Sequence, residues 1–353
     1  MQTLRSNCFR LISCAWPESV TERGKERYGF IDIIMTHGVH SAGMLRHGLP
    51  PPSSTSLASF RSNLESLART REVISLSTAV AILEEGRRPM RRYGVLTFDD
   101  SLACTCRVAI PEVLRVGIPA TVFVSTDILD TGEPYWWLRL DHAWRQARTE
   151  QASFFGPKGE VVVIRRDDPA SMARAKDHLR AMRANQRDHE VGQVEEAFGA
   201  RLSNPDVNYP YAEAMTWADV RELAAKEIEI GSHTVTHPNL ELLTRDEVIQ
   251  ELGDSKRRIE LKLGLPCRSF CYPYGKHSPD VTDLVRAAGY KCATSTIAPG
   301  RNFAGQDAFL LQRYSITTEP YKLGYDLSGF SRMLKYCGWR SEVHTCLRGH
   351  RAK

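Results

Sequence analysis

Two histidines four residues apart, His233 and His237 in His-Thr-Val-Thr-His-Pro, and two adjacent aspartates, Asp99 and Asp100 in Thr-Phe-Asp-Asp, have types and spacing that could do chemistry. The four-residue spacing brings both imidazoles to one ion if the segment makes a helical turn. Two nitrogens and one carboxylate oxygen leave a coordination position open for water, as in a catalytic zinc site. Alone, the histidine pair is a weak signal, because capping or structural histidines share the spacing. Its context says more: it follows a strand and Gly231-Ser232, precedes Pro238, and lacks the glutamate directly after the first histidine that a helical zinc protease needs. Adjacent aspartates after a strand are commonly helix caps. Neighbouring strand side chains point to opposite faces, so both enter one site only where the backbone is already turning. One then binds the metal and the other takes a proton from the metal-bound water, the nearby cation keeping both ionised.

Such residues need a scaffold that delivers them to one place. Residues 29–35 alternate and then run apolar, as a buried first strand does, and end at Thr36-His37. After a proline and serine break over 49–56, Leu57, Phe60, Leu64 and Leu67 recur at helical spacing with Ser56 as cap. Residues 73–76 read as a short strand and 78–85 as a helix. Residues 93–98 form a strand ending in the two aspartates, 103–116 a helix stopped by Gly117, and 120–124 a strand, which is a parallel strand-helix-strand unit.

The pattern is lost over about 133–214, an insertion that opens on Trp136 and Trp137 and holds a hairpin around 156–159 and a charged helical stretch over 170–200. Tandem tryptophan there reads as core or lid. Alternation resumes with a helix capped by Thr216 that turns Trp217, Val220 and Leu223 inward and leads to the strand 228–231. A helix from Thr244 to Gly264, a strand over 269–272, a helix from Ser278 to Gly289 and strands over 290–294 and 310–316 complete the run. This predicts an α/β fold, a (β/α) barrel with a largely helical insertion, whose chemistry sits at the C-terminal ends of its strands. Those ends present Thr36-His37, Asp99-Asp100, His233 with His237, and Tyr272-Pro273-Tyr274-Gly275. The domain reading is an N-terminal extension over 1–27, one barrel domain over 28–330 with the insertion inside it, and a basic tail over 331–353.

Composition bounds the function classes. A chain of 353 residues, 42% hydrophobic and 25% charged, is neither disordered nor collagenous nor a coiled coil. Its net charge of +5 is small, and residues 335–353 supply +4 of it, so the charge makes a tail and not a nucleic-acid-binding face. Nine cysteines, an odd number with no Cys-x-x-Cys pair, argue against a disulfide framework or zinc knuckle and for a reducing compartment. No stretch approaches the ~18 apolar residues of a membrane span, and Arg10 interrupts the only apolar run of the N-terminus. The expectation is a soluble cytoplasmic protein.

With these residues in view, Thr97-Phe98-Asp99-Asp100, His233-Thr-Val-Thr-His237-Pro238 and Arg268-Ser-Phe270-Cys-Tyr-Pro273-Tyr274-Gly275 occur in the order seen in polysaccharide deacetylases of the NodB-homology type. The chain resembles that family over residues 29–317. The resemblance implies a distorted (β/α) barrel and a metal-dependent hydrolase that removes acetyl groups from N-acetylated sugars of a polysaccharide, its precursor or a glycolipid. It assigns Asp100, His233 and His237 to Zn²⁺, or to another divalent transition metal such as Co²⁺, Ni²⁺ or Fe²⁺, and Asp99 to general base. The metal lowers the pKa of its water toward 7 and polarises the amide carbonyl, and the backbone N–H of Tyr274 joins it in holding the oxyanion. Many relatives carry a late histidine as general acid. Here no Leu-x-x-His follows Arg313, so the first-strand His37 is the candidate, ahead of His344 and His350 in the tail.

Three positions depart from the family pattern. Ser101 stands where glycine normally follows the aspartates, and strains the loop if that position needs φ > 0. Cys271 replaces an arginine that orients the base, leaving Arg268 nearer the start of the strand. Thr36 replaces the tyrosine before the first-strand histidine. Two other readings follow: hydrolysis of a non-sugar amide on the same metal site, and a catalytically silent relative that binds glycan or a partner.

Overall fold

The computed structural model describes residues 29–44, 54–86, 89–202, 210–297 and 300–316. The N-terminal extension and the basic tail, with His344, His350 and four of the nine cysteines, lie outside the described residues. Seven parallel strands close a ring: β1 (Phe30–Thr36), β5 (Arg92–Phe98), β6 (Thr121–Val124), β9 (Glu229–Ser232), β10 (Ser269–Cys271), β11 (Cys292–Ser295) and β12 (Leu311–Ser315). The ring shuts where β1 pairs β5 on one side, Ile33 opposite Val95, and β12 on the other, Ile33 opposite Arg313. The two-residue β4 (Glu72–Val73) pairs with Tyr93 and Gly94 at the start of β5, on the edge whose other end, Thr97 and Phe98, pairs with β6. An eighth strand thus hangs on the barrel without entering the ring, and this is the distortion of the fold.

Period-two alternation sorts the strand side chains. Ile34, Leu96, Phe98, Val122, Val124 and Phe270 face outward into a large core shared with the helices. Ile31, Ile33, Val95, Phe123, Cys271 and Leu311 belong to a second, buried cluster that fills the barrel, joined by Leu76, Ala79, Val80 and Leu83. The filling is tight enough to dictate a glycine: a Cβ on Gly231 would lie 2.5 Å from the Phe123 ring and from Ser269 Oγ. Above this apolar plug the inward positions become polar, with Thr97, Asp99 and Arg313 all buried.

The surrounding helices follow the expected signals with three exceptions. Helix α1 (Leu57–Thr70) is capped by Ser56, but residues 54–56 themselves form a strand, β3, parallel to β2 (Gly38–His40). The expected strand over 73–76 shortens to β4, because Ser75 caps α2 (Leu76–Glu84) by accepting from the Thr78 N–H. The helix expected over 103–116 is helical from Ala103 but is interrupted by a π-turn, Thr105–Ala109, before it continues as α3 (Ile110–Val116), whose Pro111 has no N–H to give to an α-helical bond. Helix α4 (Thr126–Thr131) follows β6, while α8 (Trp217–Ala225), α9 (Arg245–Leu263) and α10 (Pro279–Ala287) carry the expected caps at Thr216, Thr244 and Ser278.

The insertion has a core of its own. Helix α5 (Trp136–Arg145), the hairpin β7 (Gln151–Phe155) and β8 (Val161–Arg165), α6 (Pro169–Arg180) and α7 (Ala184–Phe198) bury Leu140, Phe154, Ile164, Leu179, Val194 and Phe198 together, with Trp136 at the edge of the cluster. Five described cysteines are free thiols, four of them buried. Among the described residues no helix is long and apolar enough to cross a membrane.

Candidate metal centre

The strand ends deliver the residues singled out above to one small cavity of about 120 Å³, bordered by His37, Asp99, Asp100, His233, His237, Tyr274 and Arg313. At the end of β5 the chain leaves extended geometry at once: Asp100 has φ 76° and Ser101 φ 48°. That turn lets two consecutive carboxylates enter the same space. Serine does occupy a left-handed position here, as the departure from glycine suggested, and its surroundings hold it there. Ser101 Oγ accepts from the Ser125 N–H at 2.9 Å, and its carbonyl accepts from the Met215 N–H at 2.8 Å.

The histidine pair does not sit on a helical turn. Thr234 (φ 71°) and His237 (φ 55°) each take a left-handed backbone conformation within an irregular loop, consistent with Pro238, which disfavours helical geometry at the residue before it. Thr234 Oγ1 accepts from the His237 N–H at 3.0 Å. Glu251 of α9 takes the N–H groups of Val235 and Thr236 at 2.7 and 3.1 Å and the Thr236 hydroxyl at 2.7 Å. Glu251 therefore shapes the loop, and nothing in the His-x-x-x-His pattern signalled it.

The result is a cluster in which one Nε2 each from His233 and His237 face Asp100 Oδ1 at 3.6 and 3.4 Å. Asp100 Oδ1 is buried without a hydrogen-bond partner. These separations are long for hydrogen bonds and match those of donors sharing one cation, since two atoms each ~2.1 Å from a tetrahedral zinc stand about 3.4 Å apart. His233 Nδ1 donates to the Cys271 carbonyl at 2.7 Å, which fixes the tautomer and turns the Nε2 lone pair into the cluster. The residues present fit a divalent metal: two imidazole nitrogens, one carboxylate, and an oriented ring.

Charge is distributed unevenly. Burial acts to raise the Asp99 pKa, but the Arg313 guanidinium, helped by His233 and His37, holds it below the ordinary carboxylate value. At Asp100 burial is likewise outweighed, by His37, His233 and His237, and the carboxyl lies well below its usual range. Burial, outweighed by Cys271 and the Asp100 carboxylate, leaves His233 well above a free imidazole, whereas burial prevails at His237 and pushes it down to about 4.

Asp99 is gripped by an arginine, but not by Arg268. Arg313 of β12 meets it with two nitrogens, Nη1 to Oδ1 at 2.9 Å and Nη2 to Oδ2 at 2.8 Å, and Nη2 also reaches Cys271 Sγ at 3.0 Å. A cysteine in β10 leaves the room this guanidinium occupies. His37 lies at the cavity rim, its Nε2 3.8 Å from Asp100 Oδ2.

Tyr274 occupies a turn over Pro273–Gly275 at φ 58°. The next two amides, of Gly275 and Lys276, donate to the Tyr272 and Pro273 carbonyls, while the Tyr274 N–H has no backbone acceptor among the described residues. Gly275 is required here: at φ 70° a Cβ would press on the hydroxyl of Thr296 and lie 2.7 Å from its amide nitrogen. Gly275→Ala is expected to cost about 2–4 kcal/mol of stability, read as a lower urea midpoint with an unchanged slope. The wall opposite the barrel is aromatic, with Trp137 4.9 Å from the His237 ring and stacked on Tyr135 at 4.2 Å, and Trp136 Nε1 donating to Tyr274 Oη at 3.1 Å.

The sequence and structure were compared with known proteins. A family model described as polysaccharide deacetylase matches residues 86–293, a span that includes both aspartates and both histidines and leaves out His37 and Arg313. The Bacillus subtilis (strain 168) protein YxkH, named as a polysaccharide deacetylase, is 26% identical over 103 residues, which is 29% of this chain and 37% of that one. Two solved structures share the fold. The Streptococcus pyogenes deacetylase PplD, in complex with acetate, superposes with a TM-score of 0.56 at 17% identity over 85% of this chain and 98% of its own. IcaB from Ammonifex degensii gives 0.56 at 16% identity over 85% and 97%. With the match running over more than half its length, the chain belongs to the polysaccharide deacetylase family.

Proposed function

We propose that the protein is a divalent-metal-dependent hydrolase that removes acetyl groups from the N-acetylated sugars of a polysaccharide, its precursor or a glycolipid. The observation that carries this reading is the convergence of Asp100, His233 and His237 beside an independently gripped second carboxylate, Asp99. Asp100, His233 and His237 would hold the cation, with Zn²⁺ as the first choice and Co²⁺, Ni²⁺ or Fe²⁺ compatible with the same donors. Such a cation supplies Lewis acidity, polarising an acyl oxygen and acidifying a water.

The remaining chemistry belongs to the chain. Asp99, ionised at neutral pH and fixed by Arg313, takes the proton of the attacking water. The Tyr274 N–H meets the negative charge that develops on the acyl oxygen. His37, at the open rim, gives a proton through Nε2 to the departing amine. Trp137, backed by the buried Tyr135 ring stacked on it, excludes water from one side of the site and presents an apolar surface to a sugar ring.

The test uses the full chain purified without chelator, with bound metal measured by mass spectrometry and acetate release measured on N-acetylglucosamine oligomers. About one metal per chain is expected, with acetate release lost on chelation and restored by zinc. Metal without acetate would move the reading to a non-sugar amide. A folded chain that binds no added metal would overturn it in favour of a silent glycan-binding or partner-binding relative.

A further inference from the structure

The two histidines of the cluster are held in different ways. His233 follows β9 directly: its N–H donates to the Val124 carbonyl at 2.8 Å, its carbonyl accepts from Ser125 Oγ at 2.9 Å, and its Nδ1 donates to the Cys271 carbonyl. His237 has no such hold on its ring, for its Nδ1 is buried without a hydrogen-bond partner. A histidine that binds a metal through one nitrogen is as a rule oriented by a hydrogen bond at the other. The rings of Tyr135, Trp137 and Tyr274, with centroids 5.4, 4.9 and 4.8 Å from that of His237, wedge the imidazole without giving that nitrogen a hydrogen bond. The position of His237 therefore depends on the backbone of residues 234–237.

That backbone is an irregular loop with two residues at positive φ, so no ladder of helix or sheet bonds fixes it. Its polar groups are met one by one. The Thr234 and Val235 carbonyls accept from the N–H groups of Thr126 and Asp127, at the start of α4, at 3.2 and 2.9 Å. The His237 N–H goes to Thr234 Oγ1. The two N–H groups between them, of Val235 and Thr236, converge on Glu251 Oε2, and the Thr236 hydroxyl donates to Oε1. One carboxylate of α9 thus accepts three hydrogen bonds from two consecutive loop residues, and bonds to an ionised acceptor are the stronger kind.

We propose that Glu251 is the positioning residue of His237: it sets the loop that brings His237 Nε2 to 3.4 Å from Asp100 Oδ1, and through that loop it sets the affinity of the site for its cation. The assignment rests on the metal reading of the site, but its test needs no turnover.

Zinc dissociation constants are to be measured by chelator competition on the full chain and on Glu251→Ala, Glu251→Gln and Asp254→Asn, together with the visible absorption of each chain loaded with Co²⁺, which reports coordination geometry. Glu251→Ala is expected to bind zinc about 10–100-fold more weakly, the scale of a lost outer partner of a metal ligand, with an altered Co²⁺ spectrum. Glu251→Gln keeps an acceptor oxygen and loses the charge, so it should fall between the two, at least about threefold weaker than wild type, and it reports on binding if Glu251→Ala folds poorly. Asp254→Asn removes a carboxylate of the same helix, one paired with Arg257 at 2.8 Å, and should leave zinc binding unchanged. Zinc affinity within about twofold of wild type in either folded Glu251 variant, whatever its urea midpoint, would make the contact merely structural and overturn the assignment, as would an equal loss in Asp254→Asn. A folded wild type that binds no zinc would remove the metal reading and the assignment together, whereas zinc bound equally with and without Glu251 would remove the assignment alone.

Discussion

Asp99→Asn is expected to lower acetate release about a thousandfold while leaving one metal bound per chain. The size is that of a lost general base, typically 10²–10⁴-fold. The split between the two readouts follows from geometry. Asp99 is held by Arg313 through both carboxylate oxygens, so an amide there removes the proton acceptor and keeps the Asp100, His233 and His237 donor set. Asp100→Ala should behave differently and lose the metal together with the activity, because its Oδ1 is the one carboxylate oxygen that both imidazole nitrogens face. Metal content by mass spectrometry and acetate release, measured on both variants, check the division. Loss of metal in Asp99→Asn, or retained turnover, would show that the aspartates do not divide their roles in this way.

The second large effect concerns stability. Arg313→Met should destabilise the protein by about 3–5 kcal/mol, because it leaves the buried Asp99 carboxylate without its counter-charge. In the wild type the Asp99 pKa is depressed, so its stabilising share is full above the ordinary carboxylate pKa and is lost as pH falls through the depressed one. Without Arg313 the same carboxyl is pushed up by burial and gains by protonating. The deficit should therefore be greatest at neutral pH, begin to narrow as pH falls through the raised carboxyl pKa of the variant, above about 4, and narrow further as pH falls through the depressed pKa of the wild type. Adding Asp99→Asn to Arg313→Met should recover part of the loss, since the uncompensated charge is then gone. Urea unfolding of the two single variants and the double variant at pH 7 and pH 4 measures both the coupling and its sign.

That these residues meet on one face was legible in the sequence, although the histidine pair alone is a weak signal. A strand ending in Asp99-Asp100, a strand leading to His233 and a turn at Pro273–Gly275 are local patterns, and a parallel barrel gathers its strand ends on one face whatever lies between them. What stayed hidden was set by partners distant in sequence. Cys271 looked like a lost arginine because the guanidinium that serves Asp99 comes from another strand. The visible signal was an arginine at an inward position of the strand around Leu311–Ser315. Glu251 was hidden for the same reason, being one acid among many on a solvated helix until the loop it closes is seen in space. The helical turn that the His233 and His237 spacing allowed is replaced by an irregular loop with Thr234 and His237 in left-handed conformations, because spacing does not fix backbone conformation, and Pro238 was the local hint.

The way the ring shuts bears on the order in which the protein becomes competent during synthesis. Asp99, Asp100, His233 and His237 all emerge from the ribosome before β12, and the strand that carries Arg313 pairs with β1, the first described strand of the chain. A nascent barrel halted short of Leu311 holds every proposed metal donor, yet Asp99, the proposed base, is unheld and the interior open along two unpaired edges. Contacts between the ends of a chain form late, because their loop-closure entropy is spent before they return any stabilisation. Completion of Asp99 by Arg313 thus coincides with the last seam of the barrel, so hydrolytic competence arrives with ring closure and not with the motifs that announce it.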